Sequence, residues 1–258
     1  MQLVNKITLA LFAALCLPAC SMSIASSVSE HGGVLYLDDV ALEFEREIEL
    51  TGVLDSSELR LSTHMGSIAV TGTTDGEVAL VLVLHTEFEG DGEVSLSAGA
   101  LKASSLQGGK LLVDSIRGTI PMGTSLHVQS GTGRIVIRDM DAQADLDVDS
   151  GTGNVFVSGG AVHALKVSTG TGDVRLDNLR AETVRLSSGT GRMAIEHCHI
   201  GSIRGESGTG EFVFRNSEVD RADLTSGTGD VRLLDTLVSK LESSLGTGDV
   251  FMERSQDD

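Results

Sequence analysis

The tripeptide Gly-Thr-Gly begins at Gly131, Gly151, Gly170, Gly189, Gly208, Gly227 and Gly246, spaced by 20 residues once and then by 19 five times. A fixed period of this length is the mark of a stacked-repeat fold, in which each unit is one turn of a larger coil. Counting from the second glycine of each unit, the second position reads Ile135, Val155, Val174, Met193, Phe212, Val231, Val250, and the fourth reads Ile137, Val157, Leu176, Ile195, Phe214, Leu233, Met252. Alternation with period two marks a strand with one buried face. Ala142, Val162, Ala181, Ile200, Val219 and Val238 fall nine places on. A second strand then carries Leu165, Val184, Ile203, Ala222 and Leu241, followed by Val167, Leu186, Gly205 and Leu224. One such unit cannot close a core alone. Stacked units set like residues above one another at ~4.8 Å, so that each apolar column becomes continuous interior.

The sequence therefore predicts an all-β chain: a right-handed parallel β-helix, or β-solenoid, with coils of about 19 residues. Composition agrees: 31 glycines punctuate a Val/Leu/Ile-rich chain holding 2 prolines, 1 tyrosine and no tryptophan, as short strands joined by tight turns require. The paired glycines are placed where the chain turns sharply and where neighbouring coils come close. The threonine between them is expected to hydrogen-bond along the stack. Val174, Leu176, Val184 and Leu186 are predicted to point inward, and Arg175 and Arg185 outward. The column Asp147, Lys166, Arg185, Arg204, Asp223, Glu242 is predicted to be solvated exterior.

Ahead of the regular coils the repeat is degenerate. Residues 59–70 (LRLSTHMGSIAV) align with residues 165–176 (LKVSTGTGDVRL), with His64-Met65 in place of Gly-Thr. Further strands are expected at Val78–His85, Glu93–Ser97 and Lys110–Val113. Residues 32–125 are read as degenerate coils forming the atypical capping end that stops end-to-end pairing, and residues 126–258 as the regular solenoid. Residues 20–31, small and polar, read as a tether.

Residues 1–19 read as a signal peptide: Lys6, then an apolar run from Ile7 to Leu17 that is shorter than the ~20 residues a spanning helix needs. The run ends in Leu17-Pro18-Ala19-Cys20, which resembles the bacterial lipobox, with Pro18 departing from its usual small residue. The resemblance implies cleavage between Ala19 and Cys20, a diacylglycerol on the Cys20 thiol and an acyl chain such as palmitate on its amine. Several chains hold a protein to a bilayer far better than one. Ser21 after the cysteine is similar to an outer-membrane sorting signal. The expected place is thus the bacterial envelope, anchored to the outer membrane by lipid. Cys16 leaves with the signal, so Cys198 stands alone and no internal disulfide is expected. Cleavage removes Lys6 and no acid, taking the formal charge from −18 to −19. Such a surface excludes nucleic acid as a partner.

Candidate chemistry is sparse. His197-Cys198-His199 could turn two imidazoles to one face of a strand, but Cys198 falls on an apolar column with Met140 and Leu179, and zinc takes three or four protein ligands. Gly-Thr-Gly-Asp recurs at 170–173, 227–230 and 246–249, yet Arg134 and Arg192 share the Asp column, against a calcium ladder. No phosphate loop of the GxxxxGK[ST] type occurs. No metal site, cofactor or catalytic residue is therefore predicted.

Gly66-Ser67-Ile68-Ala69-Val70, residues 120–126 (IPMGTSL) and the Ser-Gly-Thr-Gly-x-Val repeats together resemble a family of adhesin-like β-strand-repeat proteins of the bacterial envelope, a domain of unknown function. The resemblance spans roughly residues 45–254. It implies a parallel β-helix and an envelope location, and its motifs specify coils rather than a reaction. The expected role is a non-enzymatic scaffold, structural or adhesin-like, meeting an envelope protein, a polysaccharide or a second copy through an edge or one long face. The alternative is a β-helix that binds or cleaves an envelope or extracellular polysaccharide.

Overall fold

A computed structural model describes residues 28–254, so the expectations for residues 1–27, Ala19 and Cys20 among them, lie outside the described residues. The described chain is all β, with no helix, and forms about seven stacked coils of about 19 residues. In each regular coil one strand ends in Gly-Thr and joins a first sheet, such as Arg180–Thr190. The next joins a second sheet, such as Met193–Glu196. Both sheets are parallel from coil to coil: Val174 sits between Val155 and Met193, and Val184 between Leu165 and Ile203.

The two predicted columns of the second sheet are the core. From Ile135 to Val231, and from Ile137 to Leu233, every member is at most 3% exposed. Val174, Leu176, Val184 and Leu186 are buried while Arg175 and Arg185 are exposed, as the alternation requires. Packing also explains one irregularity. A Cβ at Gly205 would lie 2.4 Å from the Phe212 ring, so the missing side chain of one column makes room for the large one in the other. Ala142 departs from the reading. It is exposed, and Ala144 is buried instead, because the one extra residue of the 20-residue spacing is absorbed in the turn 141–144.

The two corners use different chemistry. At the Gly-Thr-Gly corner, a Cβ on Gly151 would sit 2.5 Å from the Gly131 carbonyl oxygen, and one on Gly153 would sit 1.9 Å from that of Gly133. Both glycine columns are thus required by backbone-on-backbone contact. Positive φ plays the smaller part, appearing only in the second column at Gly172, Gly191, Gly229 and Gly248. The threonines are not the ladder they were expected to be. Among the described residues, only Thr132 makes a side-chain bond along the stack, donating to the Met65 carbonyl at 3.4 Å. The opposite corner turns on a column of left-handed residues: Asp139, Gly159, Asn178, His197, Asn216 and Asp235, with φ between 46° and 71°. Gly, Asn, Asp and His are the residues that tolerate this region best.

The amino-terminal part is only partly coil. Glu58–Thr63 and Ile68–Thr73 form a true coil stacked directly beneath Ser125–Thr132 and Ile135–Met140, with Leu59, Leu61, Ile68 and Val70 buried. The rest of residues 32–125 pairs antiparallel: Phe44–Val53 with Glu77–Thr86, that strand with Leu111–Pro121, and Glu93–Ser97 with Ala100–Ser104. Leu111–Pro121 then runs parallel to Ile68–Thr73 and joins the cap to the second sheet. The outermost strand of that sheet carries Glu45, Arg46, Glu47 and Glu49, and charge on an edge strand discourages further pairing. Val28–His31, read as tether, is a strand paired with Val34–Leu37, because Val28 and Leu35 have Leu37, Leu42 and Leu112 to pack against.

One buried carboxylate ties two loops of the cap together. Asp91 is fully buried and accepts the backbone N–H groups of Gly92 and Leu106, each at 2.7 Å, and the hydroxyl of Ser105. Arg46 closes the same loop by donating to the carbonyls of Gly90 and Gly92 at 2.9 and 3.1 Å. The Ser105 hydroxyl above all, with the backbone donors, holds the Asp91 carboxyl below its ordinary value of 3.8.

Two outcomes are expected from this packing. Val174→Asp strands a charge in the core and should cost on the order of 3–5 kcal/mol in urea unfolding. An aspartate at 175 would face Asp177 and Glu196, so the outward control is Arg175→Gln, which removes half-exposed surface pairs worth about 1 kcal/mol and leaves Glu196 its second partner, Arg215. Equal losses would refute the register. For Asp91 the folded pKa is depressed, so its stabilisation is present above the unfolded pKa and is lost as pH falls through the folded value. Wild type should exceed Asp91→Asn in stability at pH 7, with the gap closing toward pH 3. A gap independent of pH would contradict the role given to the carboxylate.

Candidate functional site

Among the described residues, His197, Cys198, His199 and the Gly-Asp column are engaged in the stack. His197 is the left-handed corner residue, not a strand residue as its motif suggests, so it and His199 are not alternate residues of one strand. Its Nδ1 lies 3.2 Å from Asp177, whereas His199 Nδ1 lies 3.1 Å from Glu218. Cys198 between them is 3% exposed, with its thiol directed to the Glu196 carbonyl at 3.1 Å. Burial pushes that thiol up to about 11, which suits a small core residue and not a nucleophile or ligand. A groove of about 640 Å³ follows this corner, lined by Asn178, Arg180, His197, His199, Asn216 and Glu218.

The Gly-Asp column has a structural use that spacing alone conceals. Asn154 accepts the backbone N–H of Asp173 at 2.9 Å, Asp173 that of Arg192 at 2.8 Å, and Asp230 that of Asp249 at 3.1 Å. Each side chain thus caps the coil above it, which gives the recurrent Asp and Asn a use in the backbone. On the outer face of the second sheet, Glu196 is clasped by Arg175 and Arg215 at 2.7 and 2.8 Å, and Glu211 by Arg192 and Arg232 at 3.2 and 2.6 Å. Arg175 and Arg232 also lie over Phe156 and Phe251.

One grouping was not legible in sequence. His127, Asp147 and Asp149, from two adjacent coils of the first sheet, bring their ligand atoms within 4.8 Å of one another. Among the described residues this is the set whose donors could hold a cation. Lys166 answers it from the next coil, its ammonium 2.9 Å from Asp147 and its pKa raised chiefly by that hydrogen bond. The positive charge these carboxylates call for is supplied by the chain itself. The column predicted as solvated exterior is in fact partly paired: Asp147 with Lys166, and Glu242 with Lys240 and Arg221 at 2.8 and 3.4 Å.

Comparison with known proteins bears on the fold. No curated protein matches the chain. A crystal structure from Bacteroides fragilis, described as a "putative adhesin", superposes with a TM-score of 0.59 at 19% identity, covering 81% of this chain and 97% of that one. A second from Parabacteroides merdae, described in the same words, gives 0.52 at 10% identity, covering 82% and 97%. At these identities the likeness is one of architecture. The sequence profile of the Toastrack DUF4097 family matches residues 36–258, most of the chain and all of its regular coils, and the chain belongs to that family.

Proposed function

We propose that the chain is a lipid-anchored envelope β-solenoid that serves as a non-catalytic interaction scaffold, structural or adhesin-like. The observation that carries this reading is the use already made of each reactive side chain: Cys198 is buried, His197 and His199 are turned onto different carboxylates, and Asp173 and Asp230 cap the coils above them. The adhesin-like descriptions of the two similar structures favour an envelope-associated protein of this kind.

The anchor in this proposal is Cys20, cleaved from Ala19, and Ser21 favours the outer membrane as its destination. The partner is an envelope protein, a polysaccharide or a second copy, met through a long face or a sheet edge. The coil 237–253 has the most apolar surface to give. Val250 and Met252 sit on columns that are core in the coils below, yet are 37% and 67% exposed, with Phe251 beside them at 42%.

One experiment tests both parts. The full-length protein, Cys20→Ala and a form lacking residues 246–258 are each fractionated and used to capture partners from native membranes. Cys20→Ala should leave the membrane fraction, and the shortened form should lose a partner held by that coil. Membrane retention of Cys20→Ala equal to wild type would refute the anchor. Turnover of a polysaccharide by the purified protein, abolished by one carboxylate substitution, would replace the scaffold with the enzymatic alternative.

A further inference from the structure

The outer face of the first sheet carries three cations in register. Lys166 pairs with Arg185, and Arg185 with Arg204, on successive parallel strands. Neighbouring strands lie ~4.8 Å apart, and like charges directly opposite on adjacent strands destabilise a sheet. Two of the three are neutralised within the chain: Lys166 by Asp147 at 2.9 Å, Arg204 by Glu206 at 3.0 Å. Arg185, in the middle, has no hydrogen-bond or ion-pair partner among the described residues. It is thus the one unpaired guanidinium of the three, held between two cations that already have carboxylate partners.

The side chains around it are small. Ala164, Thr183 and Ser202 occupy successive coils on one flank, and Ser168 and Ser187 adjoin it on the other, where Glu206 follows in the next coil and is taken up by Arg204. The cations therefore stand as a ridge between two depressions. One of about 300 Å³ is bounded by Lys166, Ser168, Arg185, Ser187, Arg204 and Glu206. The other, of about 460 Å³, reaches Lys166, Thr183 and Arg185 at one end and is acidic at the other, where Glu58, Asp145 and Asp147 line it, so the Arg185 end is the one open to an anion. Arg185 borders both. The hydroxyls of Ser168, Thr183, Ser187 and Ser202 make no hydrogen bond within the described residues, so all four can donate.

We infer that Arg185, flanked by the paired cations Lys166 and Arg204, is the centre of a binding site for one oxyanion group: the carboxylate, sulfate or phosphate of a small ligand. A guanidinium presents paired N–H donors that match two oxygens of such a group, a geometry a lone ammonium does not offer. The flanking hydroxyls complete the donor set, and the bound charge relieves the repulsion along the column. The size of the ligand follows from what bounds the column. Asp147 lies below Lys166 and Asp223 above Arg204, so the positive stretch is three coils long and closed by carboxylates at both ends. That fits a single anionic group and disfavours a long polyanion, which the overall charge of −18 also repels.

The test is calorimetric titration of the full-length protein in detergent micelles with sodium sulfate, sodium phosphate and sodium glucuronate, each against sodium chloride at matched ionic strength. At least one of the three should bind saturably. Arg185→Gln should weaken that binding about tenfold or more, while Arg232→Gln, a cation already paired with Glu211 on the other sheet, should leave it unchanged. Thermal unfolding in chloride alone serves as the folding control. Arg185→Gln should unfold at or above the wild-type temperature, because it removes a like charge from the column. The bound anion should then raise the wild-type midpoint more than that of the variant. Absence of saturable binding for all three anions, or equal binding by Arg185→Gln and wild type, would overturn the site.

Discussion

Everything in this molecule depends on how closely one coil can lie on the next at the Gly-Thr-Gly corner. Carbonyl oxygens of the lower coil occupy the space where the Cβ of a residue in the upper coil would be, 1.9 Å away at Gly153 and 2.2 Å at Gly172. With that approach secured, the strands on either side of the corner fall into parallel register, residue on residue 19 apart. The register then stacks Val on Val and Leu on Ile, so the core columns follow from the corner. Hydrogen bonding along the stack follows as well, because each coil's N–H groups meet carbonyls of the next. Even the Asp and Asn of the following column use the arrangement, each capping the backbone of the coil above.

The regular half was legible for a physical reason. Repetition reports buried positions many times over, and a strand period of two says which residues face in. Val174 and Leu176 could be placed from pattern alone, and so could the coil at 58–73, in spite of His64-Met65 replacing Gly-Thr. Three features were less visible. The left-handed corner at Asn178, His197 and Asn216 is encoded by backbone tolerance and not by hydrophobicity, so His197 reads as a possible ligand until its φ is known. The antiparallel cap pairs strands far apart in sequence, such as Phe44–Val53 with Glu77–Thr86, which no repeat announces. Asp91 gave no signal at all, because its partners, from Gly92 to Gln107, are mostly backbone N–H groups.

For the surface, the same geometry converts sequence columns into rows of neighbouring charge. Opposite charges in such rows form the Glu196 and Glu211 clasps on one sheet. Like charges form the ridge of Lys166, Arg185 and Arg204 on the other. A column that looked merely solvated in sequence thus divides into paired and unpaired parts once stacking is taken into account. Binding surfaces on a solenoid are built this way, from position along the stack, and a coil with ordinary core residues can still carry a distinct exterior.

Steric exclusion at the glycine columns, and not hydrogen bonding by the threonine between them, sets the stack. Gly153 tests it cleanly, because its backbone has no positive φ and only the missing Cβ distinguishes it. Urea unfolding of Gly153→Ala beside Thr152→Ala is the direct measurement. Gly153→Ala should lose on the order of 3 kcal/mol, since the clash is with backbone that cannot rotate away. Thr152→Ala should stay within about 0.5 kcal/mol of wild type, as an exposed side chain without a partner does. A large loss at Thr152 with little at Gly153 would contradict the claim.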